Sequence, residues 1–214
     1  MLHDNQKISL NGKEYTVEKY LGKGKSAYSY LIKNADRNYV LKAIHHEPCA
    51  YYHFEDKFLA EISAYNKLKE SNILIPELID YNQKEERLIK TYIEGSTLAE
   101  LIAQDAITDD LISELFRIAN SAFQQGINID YFPTNFVIKG GQIYYIDYEF
   151  NPYSPDWNFE NWGIWYYANT QGMKHFLETG DHSQINSNNS GIPHKDPFKT
   201  KVERWKKISP YFPQ

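Results

Sequence analysis

The chain has 214 residues and a formal net charge of −5, with both signs mixed along its length. A chain of this size buries most of its apolar surface without staples, and no broad basic face marks it as a nucleic-acid binder. The lone cysteine, Cys49, precludes an internal disulfide and suits a reducing compartment; no apolar run approaches the roughly 20 residues of a membrane span, and the N-terminal MLHDNQKISL lacks the basic start and apolar centre of a signal peptide, so the expectation is a cytoplasmic protein with neither a membrane nor a nucleic-acid partner.

Residues 14–21, 28–33 and 38–44 are β-rich runs, the first two joined across Gly22-Lys23-Gly24-Lys25-Ser26. Gly22 and Gly24 let the backbone approach another group closely. The amides of such a loop form a phosphate cradle, with Lys23, Lys25 and Ser26 as further donors; an ordinary hairpin turn beside solvated lysines accounts for the same residues, and the P-loop pattern is absent. Lys42 shares its strand face with Val40 and Ile44. Its ammonium therefore meets an anion or leaves the face at a sheet edge, because an unpaired buried charge is strongly unfavourable. From about residue 54 to 70 the period turns helical, with Phe58, Ile62, Tyr65 and Leu68 on the apolar stripe. Glu61, at the edge of that stripe, is placed to meet Lys42 or else points to solvent. Pro76 ends this section, and residues 77–81 and 87–93 form a second hairpin around NQKEE.

The pattern breaks at Glu94-Gly95-Ser96, and the expected boundary divides a sheet-rich half, residues 1–94, from a helical half, residues 95–214. Helices are expected over 97–104 and from an N-cap at Thr108 to about 124, the second with Leu111, Leu115, Ile118 and Phe123 as its inner face. Gly126 terminates it. The stretch GINIDYFPTNFVIKGGQIYYIDYEFN, residues 126–151, carries the most suggestive spacing: Asp130, Asn135 five residues on, and Asp147 twelve further. A tight Pro-containing loop followed by a hairpin brings these three side chains to one sheet edge. Mg²⁺ is usually held by one or two protein oxygens plus substrate phosphates and water, so Asn135 and Asp147 suffice as ligands and Asp130 remains as a proton acceptor. Turns favour Asp and Asn for their own reasons, which is the alternative account of the same residues. Residues 158–177, rich in aromatics, are expected to form a helix buried on several sides; 179–199 is the least structured stretch, and 200–208 a short closing helix.

A five-stranded sheet with a glycine loop between its first two strands, a lysine on the third, a glutamate on the following helix, then a helical half with Asp, Asn and Asp in that order: this arrangement resembles the protein-kinase-like superfamily. The resemblance covers residues 14 to about 175. It implies a two-lobed α+β fold, an antiparallel N-lobe with one helix and a mainly helical C-lobe. By the roles known for protein kinases, Gly22 and Gly24 match the first two glycines of the phosphate-covering loop, with Lys23 between them, and the third falls on Ala27. Lys42 matches the lysine on the ATP phosphates, Glu61 its helix partner, and Glu94 the segment that binds the adenine. The catalytic loop reads Asn128-Ile129-Asp130, with Asn in place of the usual His, so another group must support the loop. Asp130 would face the acceptor hydroxyl, and Asn135 and Asp147 would hold Mg²⁺.

Asp147 opens DYE where DFG is usual, a triplet similar to the aminoglycoside and choline kinase branch, and the short interval before Asn158 leaves no room for a long activation segment. The resemblance thus implies an ATP- and Mg²⁺-dependent phosphotransferase acting on a protein Ser or Thr hydroxyl, in the manner of the minimal, atypical kinases. A small-molecule kinase and a nucleotide-binding pseudokinase serving as an interaction module are the alternatives.

Overall fold

The computed structural model describes residues 1–47, 56–187 and 191–208; Cys49, the expected helix start at residue 54 and part of the stretch 179–199 lie outside them. The chain divides by its contacts into two compact units, Met1–Lys67 with Pro76–Ile93 and Leu68–Ile75 with Glu94–Gln214. The fold is α+β. No helix of the described residues is long and apolar enough to cross a membrane.

The first unit is built on an antiparallel sheet of strands β1 (Lys7–Leu10), β2 (Lys13–Lys23), β3 (Ala27–Asn34), β4 (Arg37–Ile44), β5 (Leu78–Asn82) and β6 (Arg87–Thr91), in the order β1-β2-β3-β4-β6-β5. It has six strands where five were expected. The extra one arises because Asn11 and Gly12, both at positive φ, close a two-residue turn that pairs Leu10 with Lys13, and Asn-Gly is the strongest short hairpin signal. One face of the sheet makes its own core from Ile8, Leu10, Tyr15, Val17, Tyr30, Ile32, Leu41 and Ile89. Helix α1 (Lys57–Lys69) joins the unit, its first turn capped by Asp56, whose carboxylate accepts from the Leu59 amide at 2.9 Å.

In the second unit, Ser96–Thr97 (β7) leads into α2 (Leu98–Ala103), where Thr97 and Glu100 form a reciprocal capping box. Helix α3 (Asp109–Gln124) is capped by Thr108. Its inner face is Ile112, Leu115, Phe116, Ile118, Ala119 and Ala122. Phe123, expected inside, is 46% exposed; one residue beyond Ala122, it is turned about 100° off the buried stripe and rests edge-on against Tyr153, the ring centres 4.8 Å apart.

Strand β8 (Ile127–Ile129) then leads to a 3-10 turn at Pro133–Asn135, followed by the hairpin β9 (Phe136–Lys139) and β10 (Gln142–Tyr145), turned by Gly140 and Gly141 at positive φ. Strand β11 (Phe150–Pro152) returns to pair with β8. The expected helix over 158–177 is interrupted. A π-helical turn at Phe159–Gly163 runs into α4 (Ile164–Ala168), and α5 (Thr170–Thr179) starts anew after Asn169, whose Oδ1 accepts from the Gly172 amide at 2.8 Å. A Cβ at Gly172 would meet the Gln184 carbonyl at 2.4 Å, so glycine is what lets that chain pass. A short hairpin of β12 (Asn186–Ser187) and β13 (Ile192–Pro193) precedes α6 (Lys199–Ile208), which buries Val202 and Trp205.

Candidate functional site

The residues singled out from the sequence divide between the units. In the first, strand alternation sends Leu41 into the sheet's own core and Lys42 to the opposite face, where Lys42 lies between Ser29 of β3 and Leu88 of β6. The side chain of Lys42 is 9% exposed and forms a salt bridge with Glu61 of α1, itself 7% exposed. Glu61 sits within the buried stripe of α1 rather than at its edge, since Phe58, Glu61, Ala64 and Leu68 are the residues turned inward. Oε1 of Glu61 takes the ammonium of Lys42 and, at 3.4 Å, the hydroxyl of Ser26; Oε2 is buried without a hydrogen bond among the described residues.

The loop between β2 and β3 is a tight turn in which the Gly24 amide donates to the Ala27 carbonyl at 2.9 Å. Gly22, at φ 155°, falls at an irregularity in the β2–β3 register, and the space where its Cβ would stand is open. The loop is tied down by two residues that the sequence did not single out. His45 puts Nε2 3.0 Å from the Gly24 carbonyl, and since a carbonyl only accepts, that nitrogen carries the proton. Lys57 reaches the carbonyls of His45 at 2.8 Å and Lys25 at 3.3 Å. A lysine as the first residue of a helix opposes the helix dipole, and that was the available clue. Lys23 is engaged by Glu47, which also accepts from the Tyr28 hydroxyl. These bonds, from Lys23 first and then Tyr28, lower the Glu47 carboxyl to about 2.

In the second unit, Asp130 directly follows β8 and Glu149 directly precedes β11. The ladder pairs Ile127 with Pro152, Asn128 with Asn151 and Ile129 with Phe150, so Asp130 and Glu149 are the next pair along. Here the two strands are joined through a third group. The Tyr145 hydroxyl accepts from the Asp130 amide at 3.3 Å and donates to the Glu149 carbonyl at 2.9 Å. Asn135 donates Nδ2 to the Asp130 carbonyl at 3.4 Å, which leaves its Oδ1 as the side chain's acceptor, and its own carbonyl takes the Ile146 amide at 2.8 Å. That bond carries the β9–β10 pairing one step on, to Ile146 opposite Asn135, and Asp147 follows directly. One Asp147 oxygen accepts from the Tyr148 amide at 3.0 Å, and one Asp130 oxygen from the Phe132 amide at 3.0 Å. Glu94, the remaining candidate, is exposed.

The support expected in place of a histidine comes from several groups. Asn128 is buried and donates to the Ser154 carbonyl at 2.7 Å, tying β8 to the chain beyond β11. Tyr145 supports Asp130 from the hairpin, and Tyr167 of α4 donates to the Tyr131 carbonyl at 3.3 Å. Gly163 completes the seat: a Cβ there would lie 2.5 Å from that of Tyr131. Phe132 is packed by the rings of Tyr166, Phe176 and His182. Burial pushes the Tyr145 phenol well above its usual range, and the carboxylates of Asp147, Asp130 and Glu149 push it further. Tyr167 is raised by burial and then by Asp130. Both remain protonated donors at neutral pH.

Among the described residues no three of His, Cys, Asp and Glu converge as a metal cage. The donor set Asn135 Oδ1 and Asp147 carboxylate is all hard oxygen and incomplete by itself, which suits Mg²⁺ completed by phosphate and water rather than a soft or fully protein-bound metal. In comparisons with protein-family models and with curated proteins, no match is found for this chain.

Proposed function

We propose that this protein is an ATP- and Mg²⁺-dependent phosphotransferase with a two-lobed, protein-kinase-like fold, moving the γ-phosphoryl group to a hydroxyl acceptor. The observation that carries the reading is the buried pair of Lys42 and Glu61. A buried ion pair is a poor stabilising device, because well-packed apolar residues of the same volume do as well or better. An ammonium so deeply placed, with a carboxylate to orient it, has a chemical reason to exist when an anionic ligand must be bound there. The second support is the Asn135 amide, whose donor side is engaged by Asp130 and whose oxygen is thereby directed elsewhere.

In this reading the amides around Gly22 and Gly24 and the ammonium of Lys42 bind the phosphates of ATP, and Glu61 fixes the lysine. Asn135 and Asp147 hold Mg²⁺, which when bound neutralises charge on the phosphates. Asp130 orients the acceptor hydroxyl and takes its proton as the acceptor oxygen bonds to the γ-phosphorus and the bond to the β–γ bridging oxygen breaks, releasing ADP. The work of the protein is positioning and charge stabilisation. A protein serine or threonine is the leading acceptor. A small metabolite alcohol is the second reading, favoured by the acidic residue Glu149 in the triplet Asp147-Tyr148-Glu149.

The test is incubation of the pure protein with γ-labelled ATP and Mg²⁺, with casein as a generic protein acceptor and with choline and an aminoglycoside as small acceptors. Label on casein supports the first acceptor class and label on a small alcohol the second. Nucleotide binding without turnover to any acceptor or to water marks a pseudokinase and overturns the enzymatic reading. Asp130→Ala is expected to lower transfer by about 10²- to 10⁴-fold while calorimetric ATP binding stays unchanged.

A further inference from the structure

The phosphotransfer reading names Asp130, Asn135 and Asp147 but leaves open what holds Asp130 and the DYE segment in register. The β8–β11 ladder runs through three residue pairs and would reach Asp130 and Glu149 as a fourth. The Tyr145 hydroxyl stands between them, accepting from one strand and donating to the other. A hydroxyl is well suited to this, since it has one proton to give and lone pairs to receive. One oxygen atom thus bonds to both chains where Asp130 and Glu149 emerge, as a bridging water would. Unlike a water, this oxygen cannot leave. Its ring is fully buried, packs on Phe136 at 5.3 Å between centres, and is anchored by the main chain of β10, whose Tyr145 amide donates to the Leu74 carbonyl at 2.8 Å.

We propose that Tyr145 is a positioning residue whose hydroxyl sets the spacing between the Asp130 loop and the Asp147–Glu149 segment. Asn128 cannot do this, because its Nδ2 is committed to the Ser154 carbonyl on the far side of the ladder and its Oδ1 is buried without a partner among the described residues. Tyr145 touches neither ATP nor acceptor. Its effect is exerted through the Asp130 amide, in the same residue whose carboxylate must meet the acceptor hydroxyl. A misplacement of about 1 Å at such a group lowers turnover by about 10²-fold. The inference about turnover rests on the phosphotransfer reading; the inference about spacing does not.

Tyr145→Phe removes the bridging oxygen and keeps the ring. Two measurements decide the matter: magnesium-dependent turnover of γ-labelled ATP with casein or water as acceptor, and hydrogen exchange of the Asp130 amide relative to the amides of α3. The expected result is a kcat lowered about 10- to 100-fold with the KM for ATP near that of wild type, and exchange accelerated at Asp130 but not in α3. Tyr30→Phe is the control. It deletes the hydroxyl of a comparably buried tyrosine in the first unit, where that oxygen accepts from the Leu2 amide and supports no part of the Asp130 loop, and it is expected to keep kcat near wild type. An unchanged kcat in Tyr145→Phe, an equal fall in both variants, or exchange accelerated throughout the unit would overturn the proposal. If the wild-type protein turns over no ATP, the phosphotransfer reading falls and exchange alone decides the spacing: local acceleration at Asp130 upholds it, and unchanged protection overturns it.

Discussion

Around Lys42 the groups of interest are held by charge, and around Asp130 by neutral hydroxyls and main chain. Lys42 and Glu61 face each other as ions on a strand and a helix, with one carboxylate oxygen left unpartnered among the described residues. Asp130 is positioned through its own amide and carbonyl, the first bonded to Tyr145 and the second to Asn135, with Tyr167 supporting the next residue. The difference follows from what each place must tolerate. A fixed cation needs a compensating anion when buried. Near Asp130, Asp147 and Glu149 the Tyr145 phenol is held protonated by burial and by those carboxylates, so it braces the loop as a neutral donor. Charge-held geometry is vulnerable to removal of one partner, whereas hydroxyl-held geometry loses one bond at a time.

The sharpest way to break the first arrangement is Lys42→Ala, which strands the Glu61 carboxylate in the interior and is expected to lower unfolding free energy by about 3–5 kcal/mol, measured by urea denaturation. The double change Lys42→Met with Glu61→Leu is expected to restore most of that loss while abolishing ATP binding. Equal instability of single and double variants would contradict a pairing without stabilising surplus. In the second arrangement the corresponding change is steric: Gly163→Ala pushes a methyl group against Tyr131 and is expected to destabilise by about 1–3 kcal/mol, with near-UV dichroism reporting disturbed aromatic packing.

A smaller effect tests the tolerance for charge in the second unit. Glu160, in the π-helical turn, has a buried Oε1 without a hydrogen bond among the described residues, and burial raises its pKa above the ordinary 4.5. Because the folded state binds this proton more tightly than the unfolded state, the contribution to stability is full below about pH 4.5 and is lost as pH rises through the folded value. Glu160→Met is therefore expected to raise Tm at pH 7 and to leave it nearly unchanged at pH 4; Lys206, the nearby cation, moderates the gain. The smallest effect belongs to the solvent-facing pair of the first unit. Glu47→Gln releases Lys23 and Tyr28, and no measurable change in Tm is expected, as is usual for exposed ion pairs. Since Glu47 is ionised down to about pH 2, its pairing with Lys23 persists across the whole neutral range.

Much of this was legible in the residues themselves. The alternation that puts Lys42 opposite Leu41, the cap at Thr108 and the hairpin after the Pro-containing loop are local, and local rules read them. The errors have physical causes. The spacing predicts Glu61 at the edge of its helix stripe, with Ile62 as core, yet the buried residues are Phe58, Glu61, Ala64 and Leu68. A carboxylate on an apolar face looks like a misfit until its lysine is known. The β-rich runs predict no strand before residue 14 although Asn11-Gly12 announces its turn, and the aromatic pattern predicts one long helix where Asn169 caps a new one. Nothing in the local pattern sets Tyr145 apart, and only its burial shows that its hydroxyl needs a partner.

The amino-acid order by itself determined the strands, the helices, their caps and the short-range spacing of Asp130, Asn135 and Asp147, because backbone conformation and hydrophobic period depend on neighbours a few positions apart. Tertiary structure alone decided that Lys57 and His45 clasp the glycine loop, that Asn128 turns away to Ser154, and that a phenol from β10 stands between Asp130 and Glu149. Those are hydrogen bonds, whose strength falls away within a fraction of an ångström. No pattern of residue types sets a distance that finely; only the packed core does.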